Sequence, residues 1–368
     1  MTLVVTLVVT LVVTRMTRNP AWFGLALVIS ACNAERPPSD AASAVRSAVT
    51  PPGFHTESVA LDRARGRIVM FGGLAVDTLD ANRYVAFDRT YEWHDSGWES
   101  VQTPVQPERR SDAAMAYDPE RQRIVLFGGL VADSTATVNA FVACPTCSRT
   151  RQLNDIWTFD GDRWQSAGNG PMAFGGAAVY DAERQALVMI AFRGLASGDD
   201  GPKSVGLWTY RDERFVLVDS AGPRSESSPR PAYDTRRKVV VLPIFEGPDA
   251  GVWEWNGRWA RIQPVTGPEP RRGHVTTYDE SRERTLLFGG AHWDGERSTT
   301  FNDLWSWDGR QWTRVHDGAS DAPAPREDGT LVYDPRGTRL LLLGGLGPGQ
   351  VLLRETWAFE AGAWRRLQ

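Results

Sequence analysis

Residues 117–129 read YDPERQRIVLFGG, and the reading of this stretch decides the fold. Tyr117-Asp118 closes one segment, a short polar and basic turn follows, and Ile124–Phe127 is a continuous apolar run ended by Gly128-Gly129. The Asp suits a turn, because its side chain accepts hydrogen bonds from backbone N–H groups just beyond it. An apolar run this short, bounded by turn signals, reads as a strand buried on both faces. The glycine pair lets the chain turn where a Cβ would clash.

The string is repeated along the chain. Its dipeptide recurs as Leu61-Asp62, Tyr117-Asp118, Tyr180-Asp181, Tyr233-Asp234, Tyr278-Asp279 and Tyr333-Asp334, at spacings of 56, 63, 53, 45 and 55 residues. RIVMFGG (67–73), TLLFGG (285–290) and LLLLGG (340–345) repeat the apolar run with its glycines; VMIAFRG (188–194) and VVLPIFEG (240–247) lack the glycine pair, so the third and fourth units are expected to be irregular. Each unit closes with an aromatic triplet, from Tyr91/Trp93/Trp98 in the first to Trp357/Phe359/Trp364 in the last. Hairpin signals such as Asp160-Gly161, Asn256-Gly257 and Asp308-Gly309 fall inside these triplets. Each unit therefore reads as four strands, a to d. One such sheet cannot bury both faces alone, so the units stack radially with aromatics wedged between them.

This pattern resembles Kelch repeats over residues 54–368. The resemblance implies an all-β, six-bladed Kelch-type β-propeller with four-stranded antiparallel blades, in the galactose-oxidase-like propeller superfamily. It also implies that the b–c loops and d–a connections surround the mouth of a central channel. The last unit has its own final strand (363–367), so the ring is expected to close by packing, unless the preceding segment adds a strand.

The N-terminus reads as an address. Met16–Cys32 (MTRNPAWFGLALVISAC) has a basic start and an apolar run too short to span a bilayer. It ends in Ile29-Ser30-Ala31-Cys32, which resembles a bacterial lipobox with cleavage before an acylated Cys32. Residues 1–14 are a tandem of one short unit, and Met16 is taken as the true start. Residues 33–53 are small, polar and Pro-bearing, the composition of a flexible tether. The expected location is the cell envelope, lipid-anchored, at the outer membrane or cell surface more than the inner membrane.

The chain carries 41 basic and 45 acidic residues without a dominant basic stripe, so nucleic acid is not the expected partner. Six copies also permit a rule: a repeated feature belongs to the blade, and an unrepeated one needs its own explanation. Arg110, Arg271 and Arg326 each precede their Tyr by seven residues and read as fasteners between blades. The basic a–b turns, with Arg67, Arg123, Arg284 and Arg339, read as a solvated face. Thirteen of the fifteen Trp belong to the triplets and Trp22 to the signal segment, which leaves Trp293 alone.

The unrepeated loop residues are the binding candidates: His292, Trp293, Asp294, Glu296 and Arg297 in the fifth unit, and Asp199 and Asp200 in the third. Trp293 either stacks on a sugar or anchors a partner, or folds back on its own blade. Cys144 and Cys147 are the only other thiols, and an exported pair is expected to form a local disulfide. A redox dithiol would need a helix N-terminus, and a zinc site would need twice the ligands. The five His show no copper-like spacing, so neither metal nor cofactor is expected. The leading expectation is an exported scaffold that binds an envelope or extracellular protein or glycan through its loop face. The alternative is a sugar-modifying enzyme, mutarotase- or sialidase-like, at the channel mouth, where Glu246, His292, Asp294 or Glu296 would supply acid and base.

Overall fold

The Tyr-Asp turns form as the sequence predicts. In the computed structural model, which describes residues 44–56, 58–76, 84–94, 97–132, 150–193, 202–319 and 321–368, Asp118 Oδ1 accepts the N–H groups of Glu120 and Arg121 at 3.1 and 3.3 Å. Asp181 and Asp279 hold the corresponding turns in the same way. The carboxylate then pairs with an Arg three residues on, as in Asp181–Arg184 (2.7 Å) and Asp234–Arg237 (2.7 Å). The basic turns are thus not simply a solvated face: Arg67 reaches the buried Glu92, and Arg339 pairs with Asp334 at 3.0 Å.

Six antiparallel sheets follow, each with the order a-b-c-d. In the second blade these strands are Ala114–Asp118, Arg123–Ala132, Thr150–Phe159 and Trp164–Asn169. The third and fourth blades complete the same four strands without a glycine pair, with strand b at Ala186–Arg193 and Val239–Ile244. The innermost a strands touch one another in sequence, and the last touches the first, which closes a six-bladed β-propeller.

The aromatics sit between sheets as expected. Trp164 on strand d packs against Phe159 of its own blade (4.9 Å) and against Phe71 of the blade before (5.2 Å). Its Nε1–H donates to Thr90 of that preceding blade at 2.9 Å. Trp98 makes the same bond to Thr356 at 3.1 Å, and this contact crosses the seam between the last blade and the first.

The glycine pair and the arginine form one joint. At Gly72 (φ 65°) a Cβ would lie 2.4 Å from the Arg110 carbonyl oxygen, and Gly73 N–H donates to that oxygen at 2.8 Å. The Arg110 guanidinium turns the other way, into its own blade, where it holds Asp155 (2.7 and 2.8 Å) and the Gly128 carbonyl (2.8 Å). The fastener thus bridges blades through its backbone and locks its own blade through its side chain. At the seam Phe54 takes this place, with its carbonyl accepting from Gly345 at 2.9 Å.

The ring closes by packing, and the segment before the first blade adds a strand to that blade's outer edge. Val45–Val49 is a fifth, outermost strand of the first blade, antiparallel to Gly97–Gln102. Arg46 reaches Glu92 (3.2 Å) and, in the next blade, Asp162 (3.2 Å), while Thr50 accepts from Gln368 (3.0 Å). The segment pairs because it caps an otherwise unpaired edge, and edges invite non-native partners. Deletion of residues 44–50 is therefore expected to lower the melting temperature by several degrees and to promote self-association. Thermal scans and size-exclusion chromatography check this; an unchanged monomer with an unchanged melting temperature would refute it.

Candidate functional site

The site is built where each d–a connection enters strand a. There, in four blades, the residue six before the strand-end dipeptide bridges to the segment just after the strand-b glycine pair of its own blade: His55 with Leu74, Ser111 with Leu130, Arg272 with Ala291, and Glu327 with Leu346. The next residue turns through a positive φ in five blades, at Thr56, Asp112, Gly175, Gly273 and Asp328, with values of 49–63°. Four of these residues are linked from blade to blade by backbone hydrogen bonds. Asp328 N–H donates to Gly273 (2.8 Å), Thr56 to Asp328 (3.4 Å) and Asp112 to Thr56 (2.9 Å).

The repeat separates structure from function at this rim. The fold asks only for a left-handed residue, and the third and fifth blades supply glycine. The first, second and sixth blades carry Thr56, Asp112 and Asp328 in the same strained conformation, and the two Asp add a carboxyl group to it. Arg230 faces both. It lies three residues before its Tyr, where other blades place Ser58, Ala114, Ala177, Val275 and Thr330. Its guanidinium is 3.4 Å from Asp328 Oδ1.

Burial pushes the Asp112 carboxyl up to about 6, with Arg230 opposing and the charge of Asp328 reinforcing the rise. Burial and the neighbouring Asp328 likewise push Glu327 up to about 7, against the pull of Arg272. A Cβ at residue 273 would lie 3.2 Å from Glu327 Oε2 and 3.3 Å from Asp328 Oδ1, so glycine there leaves room beside both carboxyls. His274, 4% exposed and edge-on to Phe245, is held down at about 3 by burial and by Arg271 and Arg230. It is a neutral wall of the site. The arrangement sets two carboxyl groups that titrate near neutrality beside an Arg–Asp ion pair, the equipment of acid–base proton transfer.

The fifth-blade loop candidates adjoin this rim. His292 and Trp293 lie on a hairpin, Ala291–Trp293 with Ser298–Thr300, that rises from the Arg272 bridge. His292 Nδ1 is 2.8 Å from Glu246 Oε1 of the fourth blade. Trp293 does not fold back: it is 51% exposed. Asp294 closes the hairpin by accepting the N–H groups of Glu296 and Arg297 at 2.9 and 2.8 Å, bonds that hold its carboxyl below the usual range. Its role is in the turn, with Glu296 and Arg297 exposed beside it. Asp199, Asp200, Cys144, Cys147 and Cys32 lie outside the described residues.

Asp112, Asp328, Arg230 and Glu327 were not singled out by the sequence pattern, although a signal existed. Counting back five residues from each strand-end dipeptide reads Thr, Asp, Gly, Ser, Gly and Asp. The carboxylates stand out only once the positive φ of that position is known.

Fold and rim together define a six-bladed β-propeller that gathers carboxyl groups of the second and sixth blades beside Arg230 of the fourth. No family model matches the chain. Among solved structures it is similar to that of YjhT, with a TM-score of 0.61 and 13% identity over 87% of this chain and 99% of that one. It is also similar to a mutant of Trypanosoma rangeli sialidase displaying trans-sialidase activity, with a TM-score of 0.50 and 12% identity over 88% of this chain. The chain spans 56% of that sialidase. At these identities the likeness establishes the propeller fold. It does not single out the Kelch type.

Proposed function

We propose that the protein is a sugar-modifying enzyme of the mutarotase type, with its site at the channel mouth. The observation that carries this reading is the pair Asp112 and Asp328, placed at a rim position that two other blades fill with glycine and differentiated by their surroundings. Asp328, paired with Arg230, takes the proton of the anomeric hydroxyl. Asp112, poised at about 6, gives a proton to the ring oxygen. The bond from C1 to the ring oxygen breaks as C1 becomes a carbonyl; reclosure on the other face returns both protons, so no atom is gained or lost. Such groups contribute about 10²–10⁴-fold each. The structural likeness to a sialidase variant adds only that this fold carries carbohydrate chemistry elsewhere. The test is NMR exchange between sugar anomers, with wild type, Asp112→Asn and Asp328→Asn. Acceleration above background that both variants lose supports the reading; equal rates with and without protein reject it.

The exposed Trp293 favours a second reading, a scaffold that holds an envelope protein or glycan without turnover. A crosslinked pull-down from intact envelopes, wild type against His292→Ala/Trp293→Ala, separates the two when combined with the anomer assay. Export and lipid anchoring through Cys32 belong to both proposals. The expected result is an intact mass beginning at an acylated Cys32; a membrane-purified chain that still begins at residue 1 would overturn it.

A further inference from the structure

Resting on the acid–base reading, we propose that the substrate is a reducing oligosaccharide, with its terminal ring in the channel mouth and the next ring stacked on Trp293. Among the described residues Trp293 is the one aromatic side chain in the set of large apolar groups left exposed. The scaffold does not require it. The hairpins at the same place in the first and last blades carry Ala75-Val76 and Gly347-Pro348 where the fifth carries His292-Trp293.

His292 is oriented for a ligand. Its Nδ1 is engaged by Glu246 across the blade boundary at 2.8 Å, which leaves Nε2 for a sugar hydroxyl. The hairpin is continuous with the rim. Ala291 exchanges both backbone hydrogen bonds with Arg272, at 2.8 and 2.9 Å, and Gly273 beside it accepts from Asp328. Trp293 stands two strand residues beyond Ala291, about 7 Å along the hairpin. A flat apolar face with a polar edge suits a pyranose, whose C–H face stacks while its hydroxyls hydrogen-bond. Only the reducing-end ring has a free anomeric hydroxyl, so the stacked ring must be its non-reducing neighbour.

The experiment uses malto-, cello- and chito-oligosaccharides from monomer to tetramer, with anomer exchange and calorimetric binding read in parallel on the full chain. In one series kcat/KM should rise about tenfold from monomer to dimer. Trp293→Ala should abolish the gain of dimer over monomer, and Trp293→Phe should keep part of it. A dimer no better than the monomer in every series, or full retention of the gain by Trp293→Ala, overturns the proposal. If no sugar is turned over yet a dimer binds more tightly through Trp293, the acid–base reading fails and the outer subsite stands.

Discussion

Asp112→Gly should slow the proposed proton transfer about 10²–10⁴-fold while leaving a propeller that is folded and, above pH 7, more stable than wild type. The third and fifth blades show that the backbone accepts glycine at this rim position, where Asp112 is held at φ 53°. Relief of a left-handed non-glycine residue is worth about 1 kcal/mol. The carboxyl adds a pH-dependent part. Its folded pKa, about 6, lies above its ordinary 3.8, so between these values the native state binds more protons than the unfolded state. Stability therefore falls as pH rises from about 4 to 6 and stays lower beyond. Each pKa unit corresponds to about 1.4 kcal/mol, and partial exposure screens the effect to about 1–2 kcal/mol.

Melting temperatures from pH 4 to 8 check the prediction: wild type should lose stability over this range more steeply than Asp112→Gly. Glu327→Gln should flatten the same curve between about 4.5 and 7. Turnover should fall about 10²–10⁴-fold in Asp112→Gly. A variant that is both destabilised at pH 8 and fully active would remove Asp112 from the chemistry and the strain argument with it. A gain in stability matched by loss of activity is the pattern of a functional site held at a cost to the fold.

Arg271→Ala should be the most damaging single change outside the site. The guanidinium, 1% exposed, binds both oxygens of Asp303 (2.6 and 3.1 Å), the Gly289 and Glu269 carbonyls (3.0 Å each), and stacks 4.0 Å from the Phe301 ring. Its removal leaves two carbonyls unpaired and the Asp303 carboxylate with the Trp305 indole N–H (2.7 Å) but no cation, which costs about 3–5 kcal/mol. In the last blade the same arginine is less well satisfied. Arg326 binds the Gly344 and Ala324 carbonyls at 2.8 and 3.1 Å, but Glu355 stands 3.8 Å away, and burial lowers its pKa to about 10. Arg326→Ala should thus cost clearly less than Arg271→Ala, by melting temperatures at one scan rate. Equal losses would mean that the carbonyl bonds, not the ion pair, carry the joint.

Much of this architecture is legible in the amino-acid sequence alone. The Tyr-Asp turns, the apolar b strands, the glycine pairs and the aromatic triplets are local patterns copied six times, and each copy reports the same physical demand. Repetition made strand order and blade number readable, and it separated Arg110, Arg271 and Arg326 from candidate ligands. It also isolated Trp293, because an unrepeated aromatic on a repeated hairpin needs a reason of its own.

Other features depended on the closed ring. The strand at Val45–Val49 looked like a tether, because a small, polar segment becomes a strand only when a free edge is presented to it. Asp112, Asp328 and Arg230 are separated by about a hundred residues or more and meet because radial stacking brings every d–a connection to one axis. The sequence by itself determined the blade, because side-chain alternation, turn chemistry and aromatic burial act over a few residues. Only the tertiary structure decided the site, because a carboxyl group's proton affinity depends on which distant charges share its desolvated rim.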